Sequence, residues 1–345
     1  MVVGQGGAMK PQRGAAFLGQ SSCDVPEWNA EAHGESRGAI SRWVAETHRA
    51  CGAFEWVTFA YLGWLVGIFA IFHRNLAHPK FGIALHFCIA VMIVALVRAV
   101  SRWDSAFLRF ARSWYPLPLY LWLFEELGSF VHAIFPAWFD RVLIEFDYNF
   151  AGFHPSVWLA RYSNPGLNDF MQFAYLTYFL YLVILPAILH AKRERLAFWT
   201  AMTSTAIAHY SVYVIAVLFP VESPYHSLAG LQTKELTGGA VTALTNFIER
   251  FGRVHGAAFP SAHVAGSMVA ILASWRYSRR LFWICLPFFV CMCVATVYGR
   301  YHYIADVLGG LAIGTVGFLA GSRLMRQGGA VPTIAGSGAD AGDSD

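Results

Sequence analysis

Charged side chains are scarce in this sequence. Only 13% of its 345 residues are Asp, Glu, Lys or Arg, about half the share found in soluble globular proteins. That scarcity excludes an ordinary soluble domain. The apolar residues, 57% of the chain, instead fall in runs of roughly 18 to 24, the length needed to cross a bilayer as a helix. We therefore expect an all-α integral membrane protein with a helix bundle as its core.

Other signals are absent as well. The six cysteines include no CxxC pair and lie mostly inside apolar segments, as buried small hydrophobic residues do. No signal-peptide pattern precedes the first apolar run, which begins near Phe54, so we expect the first helix to serve as the insertion signal. The net charge of +4 is small and follows from basic loops, so it indicates no nucleic-acid partner.

Eight apolar segments predict about eight transmembrane helices. They are Phe54–His73, Phe81–Val100, Trp114–Phe135, Asp169–His190, Leu196–Phe219, Ser261–Tyr277, Leu281–Tyr298 and Tyr303–Met325. The third is unusual because it carries Glu125 and Glu126, and a charged residue at mid-bilayer costs roughly 2.5–3.5 kcal/mol. Two interpretations stay open: these acids pair with Arg98 or His132 inside the bundle, or they mark an interfacial segment.

The basic residues favour one orientation of these segments. With the N-terminus in the cytoplasm, every basic stretch falls on the inner side, as the positive-inside rule requires. These stretches are Arg102–Arg112, Lys192–Arg195, Arg276–Arg280 and Arg323–Arg326. The loops Pro136–Asn168 and Pro220–Pro260 and the turn Gly299–His302 then lie outside. Within the first loop, Trp138–Gly152 has the helical spacing of an amphipathic helix lying on the outer surface.

Two histidine motifs fall at that extracytoplasmic face. His302 and Asp306 are four residues apart, so on a helix they share one face. A carboxylate placed there fixes the imidazole tautomer and leaves the other ring nitrogen as a nucleophile. His263 follows Pro260 and Ser261 at the predicted start of the sixth helix, where free backbone amides attract anions.

Further side chains complete a candidate site. Arg300 supplies a forked donor suited to phosphate oxygens. Arg253 is a candidate phosphate contact and Glu222 a candidate headgroup contact, and both also fit a solvated loop. A zinc site is an alternative, but no third His or Cys has ligand spacing. The residues therefore predict phosphoryl transfer without a metal or a cofactor.

The same residues resemble a known family. "FPSAH", which contains His263, and "RYHYIAD", which contains His302, look like the second and third motifs of the lipid phosphate phosphatase (type 2 phosphatidic acid phosphatase) superfamily. The family pattern reads Pro-Ser-Gly-His, then Ser-Arg, five residues, His, three residues and Asp. Here Ala262 replaces the glycine, and Ala295 and Thr296 replace the Ser-Arg pair.

Within the superfamily, the inositol phosphorylceramide synthase-like branch is most similar. The family's first motif, Lys followed by six residues and Arg-Pro, is missing, and "FPVESPY" (Phe219–Tyr225) resembles the Pro-rich stretch of that branch. The resemblance covers roughly Asp140 to Met325 and includes "NPGLNDFMQFAYLTYF". It implies a six-helix core within a membrane domain over 136–326. Transmembrane helices over 54–135 precede it, with largely disordered segments at 1–53, on the cytoplasmic side, and at 327–345.

The resemblance also implies a mechanism. His302 would attack phosphorus to form a phosphohistidine, His263 would protonate the leaving alkoxide, and an alcohol or water would then accept the phosphoryl group. Three functions stay open: a phosphotransferase between a phospholipid donor and a lipid alcohol, a lipid phosphate phosphatase, and a non-catalytic transporter or scaffold. The missing first motif favours the transferase, and the intact His263, His302 and Asp306 count against the scaffold.

A site without metal ligands predicts activity that survives chelation. Purified protein incubated with excess EDTA should transfer or release phosphate at an undiminished rate, since the expected anion contacts are arginine and helix amides. Activity lost on chelation and restored by a divalent metal would favour the zinc alternative.

Overall fold

The structure is a computed structural model that describes residues 40–252, 254–327 and 331–332. The chain divides into a short unit, Met1–Glu46, and a main unit, Thr47–Asp345. Of the N-terminal segment expected to be disordered, residues 40–50 are helical and 51–53 lead into the next helix. Residues 1–39 of that segment, and nearly all of the C-terminal one, lie outside the described residues. In the described part of the main unit the chain is helical, with one isolated bridge between Val221 and Ala257 and no strand.

The described helices of the main unit are, in chain order, α1 (Ala53–Ile71), α2 (Pro79–Arg102), α3 (Ala106–Trp114), α4 (Pro116–Leu127), α5 (Asp140–Ala151), α6 (Pro155–Leu159), α7 (Pro165–Ala191), α8 (Arg195–Leu218), α9 (Pro224–Ser227), α10 (Ala240–Gly252), α11 (Ala262–Tyr277), α12 (Arg279–Tyr298) and α13 (Ile304–Arg326). Short 3₁₀ turns lie at His73–Asn75, Ala160–Tyr162 and Ala229–Leu231.

Six of these helices are long and apolar enough to cross a membrane. They are α1, α2, α7, α8, α12 and α13. The all-helical membrane architecture expected from the composition is therefore confirmed. Each of these six contains most of one predicted apolar segment, with ends that differ by a few residues.

The other two predicted segments are shorter in the structure. The third corresponds to α4, which begins at Pro116 and ends at Leu127, and residues 128–135 of that segment form turns instead of helix. The sixth is α11, whose 16 residues rise about 24 Å, less than the ~30 Å hydrocarbon thickness. It packs against α7, α8, α12 and α13 in the centre of the bundle.

Two of the carboxylates in these N-terminal helices, Glu126 and Glu55, are paired. Glu126 Oε2 lies 3.0 Å from Nε2 of His86, so neither Arg98 nor His132 is its partner in this ion pair. At the other end of the bundle, buried Glu55 accepts a bond of 2.9 Å from the Arg112 Nε. Removing one partner from a buried pair leaves an uncompensated charge, so these pairs hold α2 to α4 and α1 to α3.

Close helix packing brings the two histidine motifs together. A Cβ added to Gly310 of α13 would lie 2.7 Å from the Ser261 carbonyl oxygen, and one added to Gly314 would lie 2.5 Å from that of Ala265. Only glycine allows α13 to approach α11 this closely. The starts of both helices therefore meet, at the end of the bundle opposite the α7–α8 turn.

The four basic stretches share that opposite end. Lys192–Arg195 joins α7 to α8, Arg276–Arg280 joins α11 to α12, and α13 ends at Arg326. The Trp114 ring, at the end of α3, lies 5.6 Å from that of His190, at the end of α7. The helix directions thus separate the basic ends from the histidine motifs, as the predicted orientation requires, while the side of the membrane stays a prediction.

Thiol labelling tests that orientation. In a variant without native cysteines, Tyr225→Cys should react with a membrane-impermeant maleimide added to intact cells, because the positive-inside rule places its loop outside. Glu194→Cys, exposed in the α7–α8 turn, should react only after permeabilisation. The reverse labelling would place the histidine motifs on the cytoplasmic side.

Candidate active site

His302 is held by two acceptors on one ring nitrogen. Its Nδ1 lies 2.9 Å from the Ala258 carbonyl oxygen and 3.2 Å from Oδ2 of Asp306. Because both partners only accept, Nδ1 must carry the proton, and in the neutral ring Nε2 is then the basic nitrogen. The imidazole is thus oriented and prepared for nucleophilic attack through Nε2.

Asp306 is fixed at the first turn of α13. It is completely buried, and its Oδ2 also accepts from the Tyr303 amide at 2.8 Å. The Ser261 amide donates to the Asp306 carbonyl oxygen at 3.1 Å, which joins the starts of α11 and α13. Oδ1 of Asp306 has no hydrogen-bond partner among the described residues, and such buried unsatisfied atoms concentrate at functional positions.

His263 faces His302 from the first turn of α11. The centroids of the two imidazoles are 5.8 Å apart. Ser261 caps this helix by accepting from the Val264 amide at 3.3 Å, so its hydroxyl builds the helix start. The rings of Tyr175 and Tyr178 lie 4.7 and 4.4 Å from His263 and fix its position. These two tyrosines also form part of the wall of the site.

Both histidines line one cavity of about 540 Å³. Its wall includes Glu222 together with Glu125, Glu249 and the aromatic rings of Tyr175, Tyr178, Tyr213 and Tyr301. Among the described residues of the wall there is no lysine or arginine. Below, we call this space the catalytic cavity.

The structure describes only one of the two predicted arginines, Arg300. The guanidinium of Arg300 donates to Oε1 of Gln232 at 2.8 Å and to the Lys234 carbonyl oxygen, and it lines a neighbouring cavity. Tyr301 lines both cavities and stands between Arg300 and the catalytic cavity. Arg253 lies outside the described residues.

Two aspartates on α5 support the start of α13. The carboxylate of Asp147 on α5 accepts from the amides of Ile304 and Ala305 at 2.9 and 3.1 Å. Asp140, at the start of α5, accepts from the Tyr303 hydroxyl at 2.8 Å and from the Glu222 amide at 2.9 Å. Burial raises the pKa of Asp147, and the two amides oppose that rise.

A family model of the PAP2 superfamily matches residues 141–320. The match covers more than half of the chain and contains both histidine motifs. The chain belongs to the PAP2 superfamily. No curated protein and no solved structure matches it significantly. Members of the PAP2 superfamily are generally phosphatases or phosphotransferases, so this protein is a PAP2-type membrane protein of the lipid phosphatase or phosphotransferase class.

The sequence pattern does not predict that α5 binds the start of α13 in this PAP2 site. The segment is predicted as a surface helix, and the structure does form α5 over Asp140–Ala151. Its two buried acids, however, turn inward and bind the start of α13. The available signal is a pair of aspartates seven residues apart, which share one helix face.

Removing the Asp147 carboxylate should displace His302. Asp147→Ala leaves two amides of the α13 start without a partner, and loss of a helix cap typically costs about 0.5–2 kcal/mol. We expect a lower thermal midpoint and a kcat reduced several-fold, both measured on purified protein. Glu145→Ala, on the exposed side of the same helix, is the matched control. Equal behaviour of the two variants would contradict a role for Asp147 in positioning α13.

Proposed function

We propose that this protein is a metal-independent phosphotransferase that moves a phospho-headgroup from a phospholipid to a lipid alcohol through a phosphohistidine. The observation that carries the proposal is the pair of imidazoles 5.8 Å apart, one of them oriented through Nδ1. This arrangement provides a nucleophile and a separate acid at one cavity, and it uses no cofactor.

The proposed reaction has two displacements. Nε2 of His302 attacks phosphorus, the P–O bond to the donor lipid breaks, and His263 gives a proton to the leaving alkoxide. Asp306 stabilises the positive charge that develops on the His302 ring. In the second step the acceptor hydroxyl loses its proton to His263 and attacks phosphorus, and the P–N bond to His302 breaks.

Backbone amides are the proposed anion contacts. Ala262 and His263 open α11 and both line the catalytic cavity, and the first amides of a helix favour a phosphate. Arg253, which lies outside the described residues, is the proposed cationic contact on the strength of the sequence alone. Arg300, bound in the neighbouring cavity, would then orient the polar headgroup beyond the phosphate.

Transfer is favoured over hydrolysis by the apolar part of the cavity wall. Apolar side chains from two elements line it, Phe247 and Ile248 from α10 and Leu121 and Phe124 from α4. A phosphohistidine reacts with whichever hydroxyl reaches it, so excluding water favours a lipid alcohol. The similarity of the Pro-rich stretch to inositol phosphorylceramide synthases supports an inositol-phosphate donor, and the predicted orientation places the reaction on the extracytoplasmic side.

Product analysis tests the transferase. Phosphatidylinositol carrying ³²P is given to purified protein alone and with diacylglycerol, a ceramide or a polyprenol. We expect slow headgroup release from the donor alone, and a labelled new phospholipid with the correct acceptor. Rapid hydrolysis of phosphatidic acid to free phosphate, with no acceptor labelled, would instead establish a lipid phosphate phosphatase.

Variants of the same protein assign the roles. His302→Ala should abolish both turnover and acid-labile ³²P on the protein, and Asp306→Asn should lower the rate in a protein that still folds. His263→Ala should slow the first step most for donors with poor leaving groups, because these need the proton. His255→Ala, an exposed residue in the loop before α11, is the control. Undiminished turnover in His302→Ala would falsify the mechanism.

A further inference from the structure

A second cavity lies beside the catalytic one, outside the part of the chain matched by the family model. It measures about 1010 Å³ and is formed by α1, α2, α4 and the segment joining α1 to α2. Cavities of this order accommodate drug-sized or larger ligands. Its wall is apolar along α2, where Phe81, Leu85, Ile89, Met92 and Leu96 line it. We call it the α2–α4 groove.

The α4 helix separates the groove from the catalytic cavity. Leu119 and Trp122 face the groove, whereas Leu121 and Phe124 face the catalytic cavity. Glu125 lines both spaces. The two cavities are therefore adjacent at a single side chain, Glu125, near the C-terminal end of α4.

The two acidic residues of the groove lie at that end. Glu126 lines it beside Glu125, and its carboxylate is paired with the buried His86. A ligand that fits this distribution has a long apolar part along α2 and a neutral hydrogen-bond donor at the carboxylates. A phosphate group at the same position would be repelled by the negative charge of Glu125.

We propose that the α2–α4 groove binds the hydrocarbon part of the lipid alcohol acceptor and that Glu125 accepts a hydrogen bond from its hydroxyl. This inference rests on the proposed transferase function and names the acceptor's binding site. The adjacent carboxylates Glu125 and Glu126 disfavour an anionic donor in the groove, and its phosphate binds in the catalytic cavity at the α11 amides, which offset the charge of Glu125 there. Glu125 is a positioning residue that directs the hydroxyl into the catalytic cavity.

Photo-crosslinking tests the groove without relying on turnover. The full-length protein, in nanodiscs of phosphatidylcholine, is irradiated with a diacylglycerol or a ceramide whose acyl chain carries a diazirine. Labelled peptides should map to 81–96 and 115–126. Excess unlabelled alcohol of the same class should compete, and phosphatidic acid should not. Labelling spread evenly over all lipid-facing helices, or equal competition by phosphatidic acid, would overturn the proposal.

Neighbouring residues on α2 provide matched variants. Met92 and Val91 are both exposed, at 63% and 52%, and only Met92 lines the groove. Met92→Trp should fill the groove, lower the crosslinking yield several-fold and raise the KM for the acceptor. Val91→Trp should leave both unchanged. Equal crosslinking in the two variants would contradict the proposal whether or not the protein transfers phosphate.

Glu125→Gln tests the polar end of the groove. The amide still accepts a hydrogen bond but carries no charge, so phosphatidic acid should begin to compete for crosslinking in this variant. Competition that stays confined to alcohols would show that Glu125 does not exclude anions. If crosslinking succeeds in the groove while no acceptor is ever phosphorylated, the binding site stands and the proposed transferase function fails.

Discussion

The hydrogen bond between His302 and Asp306 is the constraint on which the rest of this site depends. Both residues are almost completely buried, and a buried carboxylate is tolerated only when its partners are good. The amide of Tyr303 and the His302 ring supply those partners at the first turn of α13. Because Nδ1 is also tied to the Ala258 carbonyl, the ring position is set jointly by α13 and by the loop before α11.

That joint dependence explains why α13 must lie so close to α11. The Ser261 amide reaches the Asp306 carbonyl because Gly310 and Gly314 have no side chains on the face of α13 that contacts α11. The same approach places His263 opposite His302. On the other side, α5 holds the start of α13 through Asp147, so the helix that leads the PAP2 match is part of the catalytic support.

Composition and residue spacing were sufficient to predict the parts of this architecture that depend on local sequence. Helix length and apolar content predict the six long helices, and the four-residue spacing predicts that His302 and Asp306 meet. The inward direction of Asp147 was not predictable, because its partner Ile304 lies 157 residues away. The position of the Arg300 guanidinium was not predictable either, because it donates a hydrogen bond to Gln232, which lies in a loop without a motif. The short length of the third predicted span was foreseeable only in part, since its prolines and its two glutamates are unusual in a membrane helix but do not locate the end of α4 at Leu127.

The proposed arrangement of the two cavities gives the N-terminal helices a role in the reaction. A two-step transfer through one histidine requires donor and acceptor to reach the same nitrogen in turn, and two similar lipids would compete for a single apolar site. In the proposed transfer, adjacent cavities that share Glu125 would reduce that competition, because the carboxylates of the groove would favour a neutral alcohol over an anionic phospholipid. Glu125 and Glu126, which are costly in a hydrocarbon environment, would then provide selectivity. The proposal thus gives α1, α2 and α4 a part in the chemistry, beside the matched PAP2 core.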